Sequence, residues 1–344
     1  MPYYFNLPLI TELTPDQQRA VNETNPLALS GGPGTGKSVV SLWRHIRNHS
    51  TGLRNSLLLT YTKTLEHYLR ASANSQDENA GNNIDRIFWW LSHNATDYEE
   101  IIIDEAQDIS RLRFERFFNY STNISYGADQ RQSVYLSQDE LNELLNWFNA
   151  DQRFQNNVPV TLSRNFRNSR EILLFTRTVF PNFMIPQNTI SGATATGLKP
   201  IMKLDVGWDI DGQVDEIIDI ISDFQSDTHN IAVLVPTQNM VESYYNAIRG
   251  KLTANIALTK FRAEDDNFDG LSGIHITPFK SSKGTEFDTV ILPEFDRYRW
   301  FMENGHTVKE NDYYVAFTRT KSNLFLLCRN GFPNIGDINT VTIE

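Results

Sequence analysis

Cysteine is almost absent from the sequence: among 344 residues there is one, Cys328, in the apolar run LFLLC. A single thiol excludes intramolecular disulfides and thiolate metal clusters, and its apolar neighbours predict a buried structural role. Long apolar runs are missing too. None approaches the roughly 18 residues that a membrane span needs, and the amino terminus lacks a basic segment followed by an apolar block. We therefore expect a cytoplasmic protein with no membrane partner.

Positive charge is also in short supply. The chain has 31 Lys and Arg residues against 42 Asp and Glu, a formal net charge of −11. This balance argues against a protein that coats nucleic acid through bulk electrostatics, but it leaves room for a narrow basic groove. Hydrophobic residues make up 40% of the chain and charged residues 21%, as is typical of globular proteins. The length exceeds what one hydrophobic core usually supports, so we expect two domains.

Short apolar runs alternate with amphipathic stretches along the chain. The runs predict buried strands at 27–30, 57–60, 101–104, 158–162, 231–236, 274–277, 290–293 and 324–328. Helical spacing occurs at 38–49, 140–148, 214–224 and 240–249. The alternation predicts an α/β fold with parallel sheets and helices on both faces. Residues 180–200, rich in Pro, Gly, Ser and Thr, should join or decorate the two halves. With the second sheet beginning at Val158, the predicted domains are 1–157 and 158–344.

A glycine-rich turn fits the phosphate-binding pattern G-x-x-x-x-G-K-[ST] without a mismatch. A predicted strand leads into it and a helix begins at Lys37, so backbone N–H groups and the positive helix end converge on the anion. Lys37 would reach the β and γ phosphates, and the Ser38 hydroxyl would be a ligand of Mg²⁺. The residues predicted to line this part of the site are Gly31, Gly32, Pro33, Gly34, Thr35, Gly36, Lys37, Ser38 and Val39.

A nucleoside triphosphatase also needs a carboxylate at the end of a buried strand to hold Mg²⁺, and a neighbour to activate the attacking water. Three consecutive isoleucines followed by Asp104 and Glu105 meet this need. We assign Asp104 to the metal and Glu105 to the water. Together with the glycine-rich turn, this pair predicts hydrolysis of a nucleoside triphosphate with Mg²⁺ as cofactor.

The strand end reads DEAQD (104–108) and resembles motif II of the superfamily 1 DNA helicases of the UvrD/Rep type. The resemblance covers residues 13–328 and is carried by seven segments in the order of the family. The other six are LTPDQQRAV (13–21, Q motif), LLLTYTKTL (57–65, Ia), GADQRQSVY (127–135, III), LSRNFRNS (162–169, IV), FKSSKGTEFDTVIL (279–292, V) and YYVAFTRTKSNL (313–324, VI).

The resemblance implies two tandem RecA-like domains of the P-loop NTPase type, with the ATP site in the cleft between them. The first domain would supply Lys37, Asp104 and Glu105. The residues implied to contact ATP are Gln17 (adenine edge), Gln132 (γ phosphate sensor), Phe166 (adenine stacking), Arg167 (γ phosphate), Gly284 (cleft lining), Glu286 (ribose) and Arg319 (arginine finger). The residues implied to bind single-stranded DNA are Tyr61, whose ring would stack on a base, with Thr62, Lys63, Tyr135 and Lys280.

The sequence departs from the family pattern in several places. The interval after motif Ia is too short for the large accessory domain of full-size members, and the interval between motifs IV and V can largely be taken up by the second domain's own strands and helices. The tryptophan that usually follows motif III is missing, since Tyr135 is followed by Leu-Ser-Gln, and Lys280 replaces the usual histidine of motif V. A T-F-H-S-like stretch survives only weakly as IDRIFWWL (84–91). Its Trp89 and Trp90 could offer aromatic faces, although core packing is the simpler interpretation.

These observations favour an ATP-dependent helicase or translocase on single-stranded DNA, with 3′-to-5′ polarity implied by the resemblance alone. The alternative is an ATP-gated subunit that recruits or licenses a partner enzyme, such as a nuclease in DNA repair or antiphage defence. The acidic charge and the lack of accessory domains favour that alternative. A kinase of nucleotides or small molecules would share the phosphate loop, but it gives no reason for motifs III to VI.

Overall fold

The computed structural model describes residues 7–263, 271–304, 308–329 and 335–344. The chain divides into two compact units, and it passes from the first to the second between Arg164 and Asn165. Each unit contains one parallel sheet flanked by helices, which confirms the predicted α/β class with two parallel sheets. No helix in the described ranges is long and apolar enough to cross a membrane.

The first unit is built on six strands that run parallel in the order β3-β2-β4-β5-β1-β6. Its strands are β1 (Leu27–Gly31), β2 (Ser56–Thr60), β3 (Ile84–Arg86), β4 (Glu100–Ile103), β5 (Ile124–Ala128) and β6 (Val158–Leu162). Its helices are α1 (Pro15–Asn22), α2 (Lys37–Ser50), α3 (Lys63–Asn74), α4 (Glu78–Asn82), α5 (Ile87–Trp89), α6 (Arg111–Glu115) and α7 (Gln138–Ala150).

Local sequence signals explain where the helices of this unit begin. Helix α1 follows Thr14, whose hydroxyl accepts from the Gln17 N–H at 3.2 Å, and has proline at its first position. Helix α7 begins with a capping box formed by Ser137 and Glu140. Strand β4 is buried along its whole length, as its run of isoleucines predicts for a central strand of a parallel sheet.

The second unit contains seven parallel strands in the order β13-β7-β12-β11-β8-β10-β9. Its strands are β7 (Ile201–Lys203), β8 (Ile231–Val235), β9 (Thr259–Lys260), β10 (Ile274–Pro278), β11 (Phe287–Leu292), β12 (Thr320–Leu327) and β13 (Thr342–Ile343). Its helices are α8 (Arg170–Val179), α9 (Gln187–Gly192), α10 (Ile210–Phe224), α11 (Gln238–Lys251), α12 (Tyr298–Glu303) and α13 (Glu310–Phe317). Cys328 is buried at the end of β12, as predicted.

The predicted domain boundary is wrong by one strand. Strand β6 pairs with β1 from Leu27 opposite Val158 to Gly31 opposite Leu162, so it closes the first sheet and does not open the second. The boundary therefore lies after Arg164 and not after residue 157. Residues 180–200 do not join the halves, because they lie within the second unit and include α9. Strand β5, which separates β4 from β1, was not predicted at all.

Candidate functional site

The glycine-rich turn predicted to bind phosphate, residues 31–38, is called the phosphate loop below. It begins at the last residue of β1 and runs into the start of α2. Gly31, Gly34 and Gly36 all have positive φ angles, at 151°, 68° and 86°, which glycine adopts at little cost. A Cβ on Gly31 would lie 2.4 Å from the Leu162 carbonyl oxygen, so β6 also requires glycine there. Helix α2 starts at Lys37 as predicted, and its free N–H groups are available to an anion.

Lys37 lies over its own loop in this structure. Its Nζ donates to the carbonyl oxygens of Gly31 at 2.9 Å and Gly32 at 3.1 Å. These are neutral acceptors, so a phosphate oxygen can replace them with a stronger, charge-assisted partner. The predicted role of Lys37 thus requires only a change of hydrogen-bond partners at the loop.

Gln17 contributes to the loop in a way that the sequence did not predict. Its Nε2 donates to the carbonyl oxygen of Thr35 at 3.1 Å, while its Oε1 accepts from the Thr14 N–H at 2.9 Å. The side chain is buried. Gln17 therefore fastens the phosphate loop to the start of α1, and its implied contact with adenine stays a prediction.

Asp104 lies directly after β4, two strands away from the phosphate loop. Strand β5 lies between, and its Gly127 keeps the space open: a Cβ there would be 3.5 Å from Asp104 Oδ1 and 3.8 Å from Lys37 Cβ. The Asp104 carboxylate is buried, and in the described parts of the chain neither oxygen has a hydrogen-bond donor. A buried carboxylate in this condition is costly unless it binds a cation.

The electrostatics of Asp104 agree with its geometry. Burial, with the negative charge of Glu105 as the second cause, raises the pKa of Asp104 to about 6. A side-chain interaction with the Ser38 hydroxyl and the charge of Lys37 act in the opposite direction, so both residues lie beside the carboxylate, although the Ser38 contact does not meet the geometry of an ordinary hydrogen bond. The predicted metal ligands Ser38 and Asp104 are thus brought together. Hydroxyl and carboxylate oxygens suit Mg²⁺, which keeps waters and phosphate oxygens as its other ligands.

No group of three or more His, Cys, Asp or Glu side chains able to hold a metal occurs in the ranges that the structure describes. A transition-metal centre built from such a cluster therefore has no counterpart there. One carboxylate and one hydroxyl would leave the other ligand positions of a bound Mg²⁺ to water and to phosphate oxygens.

Glu105 is held by a chain of side chains behind it. It has a φ of 59°, a left-handed conformation that is rare for a residue other than glycine. Gln107 Nε2 donates to Glu105 Oε2 at 2.5 Å, and Gln107 Oε1 accepts from the Asp129 N–H at 3.0 Å. Gln132 Nε2 in turn donates to Asp129 Oδ2 at 2.7 Å. The predicted base and the predicted γ phosphate sensor therefore belong to one network.

The same turn reaches an aromatic pair. Asp108 Oδ1 accepts from the N–H groups of Val134 at 3.0 Å and Tyr135 at 3.4 Å. The ring of Tyr135 stacks on that of Tyr61, with centroids 4.2 Å apart and planes 22° apart. Two predicted DNA-binding residues are thus neighbours. Thr62 is buried and caps α3 by accepting from the Leu65 N–H at 3.2 Å, so its hydroxyl already has a structural role.

In the second unit, Arg167 and Glu286 form an ion pair, with Arg167 Nε 3.0 Å from Glu286 Oε2. Lys321 Nζ lies 3.3 Å from the other oxygen of Glu286. Burial acts to raise the pKa of Glu286, but the charges of Arg167 and Lys321 outweigh it and the net pKa is lowered. Two residues to which the resemblance gives separate nucleotide contacts therefore bind each other here.

Arg319 is 1% exposed, and its guanidinium group donates to groups of its own unit. Nε reaches the carbonyl oxygen of Val315 at 3.1 Å and Nη1 reaches that of Thr285 at 3.3 Å. Motif IV is fastened to motif VI by Asn168, whose Nδ2 donates to the carbonyl oxygens of Thr318 at 3.2 Å and Thr320 at 2.6 Å. The segments resembling motifs IV, V and VI thus converge at the amino ends of β11 and β12.

The remaining predicted residues of the second unit occupy separate places. Gly284 has a φ of 85° in the turn before β11. Phe166 is 49% exposed. Lys280 lies after the carboxyl end of β10, and its Nζ is 3.8 Å from Asp312 Oδ2.

The residues that the sequence analysis missed are Gln107 and Asp129. Gln107 was visible as the fourth residue of DEAQD, and Asp129 stands three residues before Gln132. A polar residue that follows a buried strand end in each of two neighbouring strands was the available signal. It was missed for Asp129 because strand β5 was not predicted.

No protein-family model matches the chain, and no curated protein matches it in sequence. Among solved structures, the chain is similar to the C-terminal domain of a possible DNA helicase from Lactobacillus plantarum WCFS1, with 18% identity, a TM-score of 0.39 and coverage of 52% of this chain and 98% of that one. It is also similar to the arterivirus nonstructural protein 10 helicase, with 14% identity, a TM-score of 0.41 and coverage of 91% of this chain and 61% of that one.

The DNA complex of that arterivirus protein gives 13% identity, a TM-score of 0.43, and coverage of 93% of this chain and 64% of that one. The chain thus spans less than two thirds of the length of the arterivirus chains. All three identities are below 20% and all three TM-scores below 0.5.

Proposed function

We propose that this protein is an ATPase of the helicase type, which hydrolyses Mg²⁺-bound ATP and couples hydrolysis to movement on single-stranded DNA. The observation that carries the proposal is the buried Asp104 carboxylate, which has no hydrogen-bond donor in the described residues and lies beside the phosphate loop. Its charge is useful only if a cation binds there. The folded protein keeps this carboxylate buried despite the free-energy cost, which supports a functional role for the site.

In the proposed reaction, the N–H groups of the loop and Lys37 hold the β and γ phosphates. Mg²⁺, bound by Ser38, Asp104 and the nucleotide, would neutralise charge on the phosphates. Glu105 accepts the proton of the attacking water, and Gln107 fixes the orientation of its carboxylate through the 2.5 Å hydrogen bond. Gln132 belongs to the same network and is proposed to respond to the γ phosphate.

The proposed roles of Arg167 and Arg319 are to stabilise the charge that develops on the transferred phosphoryl group. Arg167 would have to exchange Glu286 for the nucleotide, since the two are paired at 3.0 Å. Replacing Arg319 should slow catalysis and leave ATP affinity largely intact. An effect confined to ATP binding would remove Arg319 from the catalytic role.

The test is an ATPase assay with no nucleic acid, single-stranded DNA, duplex DNA and RNA in parallel. We expect single-stranded DNA to stimulate hydrolysis and added salt to suppress the stimulation. The variants Lys37→Ala and Glu105→Gln should lose turnover, and Arg19→Ala, which removes only an exposed ion pair with Asp16, should not. Turnover close to wild type in either of the first two variants would contradict the assigned site.

The polarity of movement is proposed as 3′ to 5′ and is tested by displacement of a block from either end of a single strand. Hydrolysis that no nucleic acid changes, together with ATP-dependent binding of a partner protein, would favour the alternative of a licensing subunit for an enzyme such as a nuclease. That outcome would leave the assignment of the ATP site unchanged.

A further inference from the structure

The segment after β3 holds two aromatic rings at the surface. Helix α5 is followed by a turn of π-helix (Trp90–Asn94), a local feature often found at functional sites. Trp90 is 1% exposed and lies in the core, whereas Phe88 is 37% and Trp89 47% exposed. The expectation that both tryptophans pack in the core is therefore correct for Trp90 and wrong for Trp89.

The π turn is fixed by hydrogen bonds that hold the backbone of the two exposed residues. Ser92 Oγ donates to the carbonyl oxygens of Phe88 at 2.7 Å and Trp89 at 3.0 Å. The Trp89 ring stacks on the His93 ring, with centroids 3.9 Å apart and planes 14° apart. The ring of Trp89 is thus presented on a supported turn, which lowers the entropic cost of stacking against a ligand.

Phe88 extends the aromatic pair described above. Its ring lies 5.1 Å from that of Tyr61 in an edge-to-face arrangement at 88°, and Tyr61 stacks on Tyr135. Phe88 and Trp89, which follow one another in the chain, are each more than one third exposed, so the aromatic surface open to solvent belongs to these two residues. We call the four residues Tyr135, Tyr61, Phe88 and Trp89 the aromatic row.

Guanidinium groups accompany the exposed end of the aromatic row. Arg113 Cζ lies 4.2 Å from the centre of the Phe88 ring, and Arg86 Cζ lies 5.7 Å from that of Trp89. Arg86 also pairs with Glu66 at 3.0 Å, whereas the structure gives Arg113 no ion pair within its described residues. Exposed aromatic rings and arginines therefore lie together in a protein whose net charge is −11.

This combination matches the chemistry of unpaired nucleotides. Base faces stack on aromatic rings, and phosphates bind guanidinium groups. In a duplex the base faces are stacked inside the helix, so a duplex would bind this surface only through contacts between its phosphates and the arginines. Arg86 is the last residue of β3, and Phe88 and Trp89 follow it. Tyr61 follows the last residue of β2, so all four lie at the carboxyl edge of the sheet, where the phosphate loop also lies.

We propose that Phe88 and Trp89, with Arg113 and Arg86, form a base-stacking platform for single-stranded nucleic acid that continues the pair of Tyr61 and Tyr135. The platform takes the place of the tryptophan that the sequence lacks after Tyr135. That its ligand is a nucleic acid rests on the proposed function, but the affinity of the platform for a single strand does not require ATP hydrolysis. Trp89 is the principal ring, since it is the most exposed member of the row.

The test measures binding of fluorescein-labelled oligo-dT, oligo-U and a duplex to the full chain without nucleotide, by anisotropy. Trp89→Leu keeps an apolar side chain but has no aromatic face, and we expect its dissociation constant for a single strand to rise about 5- to 100-fold. Phe88→Leu should act in the same direction, and Trp89→Phe should restore part of the affinity. Comparison of oligo-dT with oligo-U assigns DNA or RNA as the strand.

Trp208→Leu is the matched control, because Trp208 is 67% exposed and also has an arginine, Arg329, 5.3 Å from its ring. Trp208→Leu should bind single strands like wild type and should keep the wild-type basal ATPase rate. Equal affinity of wild type, Trp89→Leu and Phe88→Leu for single strands would overturn the platform, as would an equal loss of duplex binding. If the wild type binds no single strand, platform and proposed function both fail. If binding falls as expected while nucleic acid leaves hydrolysis unchanged, the platform stands and the coupled motor fails.

Discussion

Replacing Asp104 with Asn separates the cost of a buried charge from its use as a metal ligand. Burial and the neighbouring charge of Glu105 raise the pKa of Asp104 from 3.8 to about 6. Each pKa unit corresponds to about 1.4 kcal/mol, so the ionised carboxylate costs the folded, nucleotide-free protein about 3 kcal/mol. Asn has nearly the same shape without the charge. We therefore expect Asp104→Asn to raise the free energy of unfolding by up to about 3 kcal/mol near neutral pH.

The size of this gain depends on pH in a defined direction. Because the pKa is higher in the folded than in the unfolded protein, the folded state binds more protons between pH 3.8 and about 6. The contribution of Asp104 to wild-type stability is therefore lost as the pH rises through this window. The variant and the wild type should differ little below pH 3.8, and the full difference should be present above about pH 6.

Urea unfolding followed by circular dichroism at several pH values, without Mg²⁺ or nucleotide, measures the effect. Asp108→Asn is the matched control: Asp108 is also buried, but its Oδ1 accepts from the N–H groups of Val134 and Tyr135, so removal of its charge should bring no gain. A magnesium complex of a non-hydrolysable ATP analogue should stabilise the wild type more than Asp104→Asn. Equal stability of wild type and Asp104→Asn at pH 8 would refute the reasoning.

Three further predictions concern the frame of the site. Arg44→Met breaks a buried ion pair with Glu100 (2.8 Å, both side chains 0% exposed) and should lower the free energy of unfolding by roughly 3–5 kcal/mol in urea titrations. The control Arg19→Ala should lower it by less than about 0.5 kcal/mol. A loss below about 1 kcal/mol for Arg44→Met would contradict the prediction. Gly36→Ala places a Cβ 2.4 Å from Gln17 Nε2 at a φ of 86°. Titration calorimetry should therefore find ATP binding weakened at least about tenfold. Unchanged affinity would show that the loop can adjust its backbone to the added methyl group. Gln107→Leu removes the hydrogen bonds to Glu105 and Asp129. Because a hydrogen bond to a charged group is worth roughly 1.5–3 kcal/mol, kcat should fall about 10- to 100-fold with little change in ATP affinity. A change in ATP affinity alone would contradict the assigned role of Gln107.

Much of the fold could be predicted from local patterns. The buried runs at β1, β2, β4, β8, β10, β11 and β12 and the start of α2 at Lys37 all lie where the sequence indicates. Strand β5 could not be found in this way. The strand has only five residues, and two of them, Gly127 and Ala128, have low strand propensity, so the run carries little local signal. What makes it a strand is its position between β1 and β4.

The candidate site divides in the same way. Glycines with positive φ, a lysine and a hydroxyl at the helix start, and two acids after a run of isoleucines are short-range requirements, so the sequence by itself determined the phosphate loop and the acidic pair. The tertiary structure alone decided that β6 belongs to the first sheet, that Gln107 bridges Glu105 to Asp129, that Trp89 is exposed and that Arg167 pairs with Glu286. Backbone conformation and amphipathic spacing are set by neighbours within a few residues, whereas strand order and side-chain pairing join residues as far apart as Arg167 and Glu286 and depend on which surfaces the whole chain can bury together.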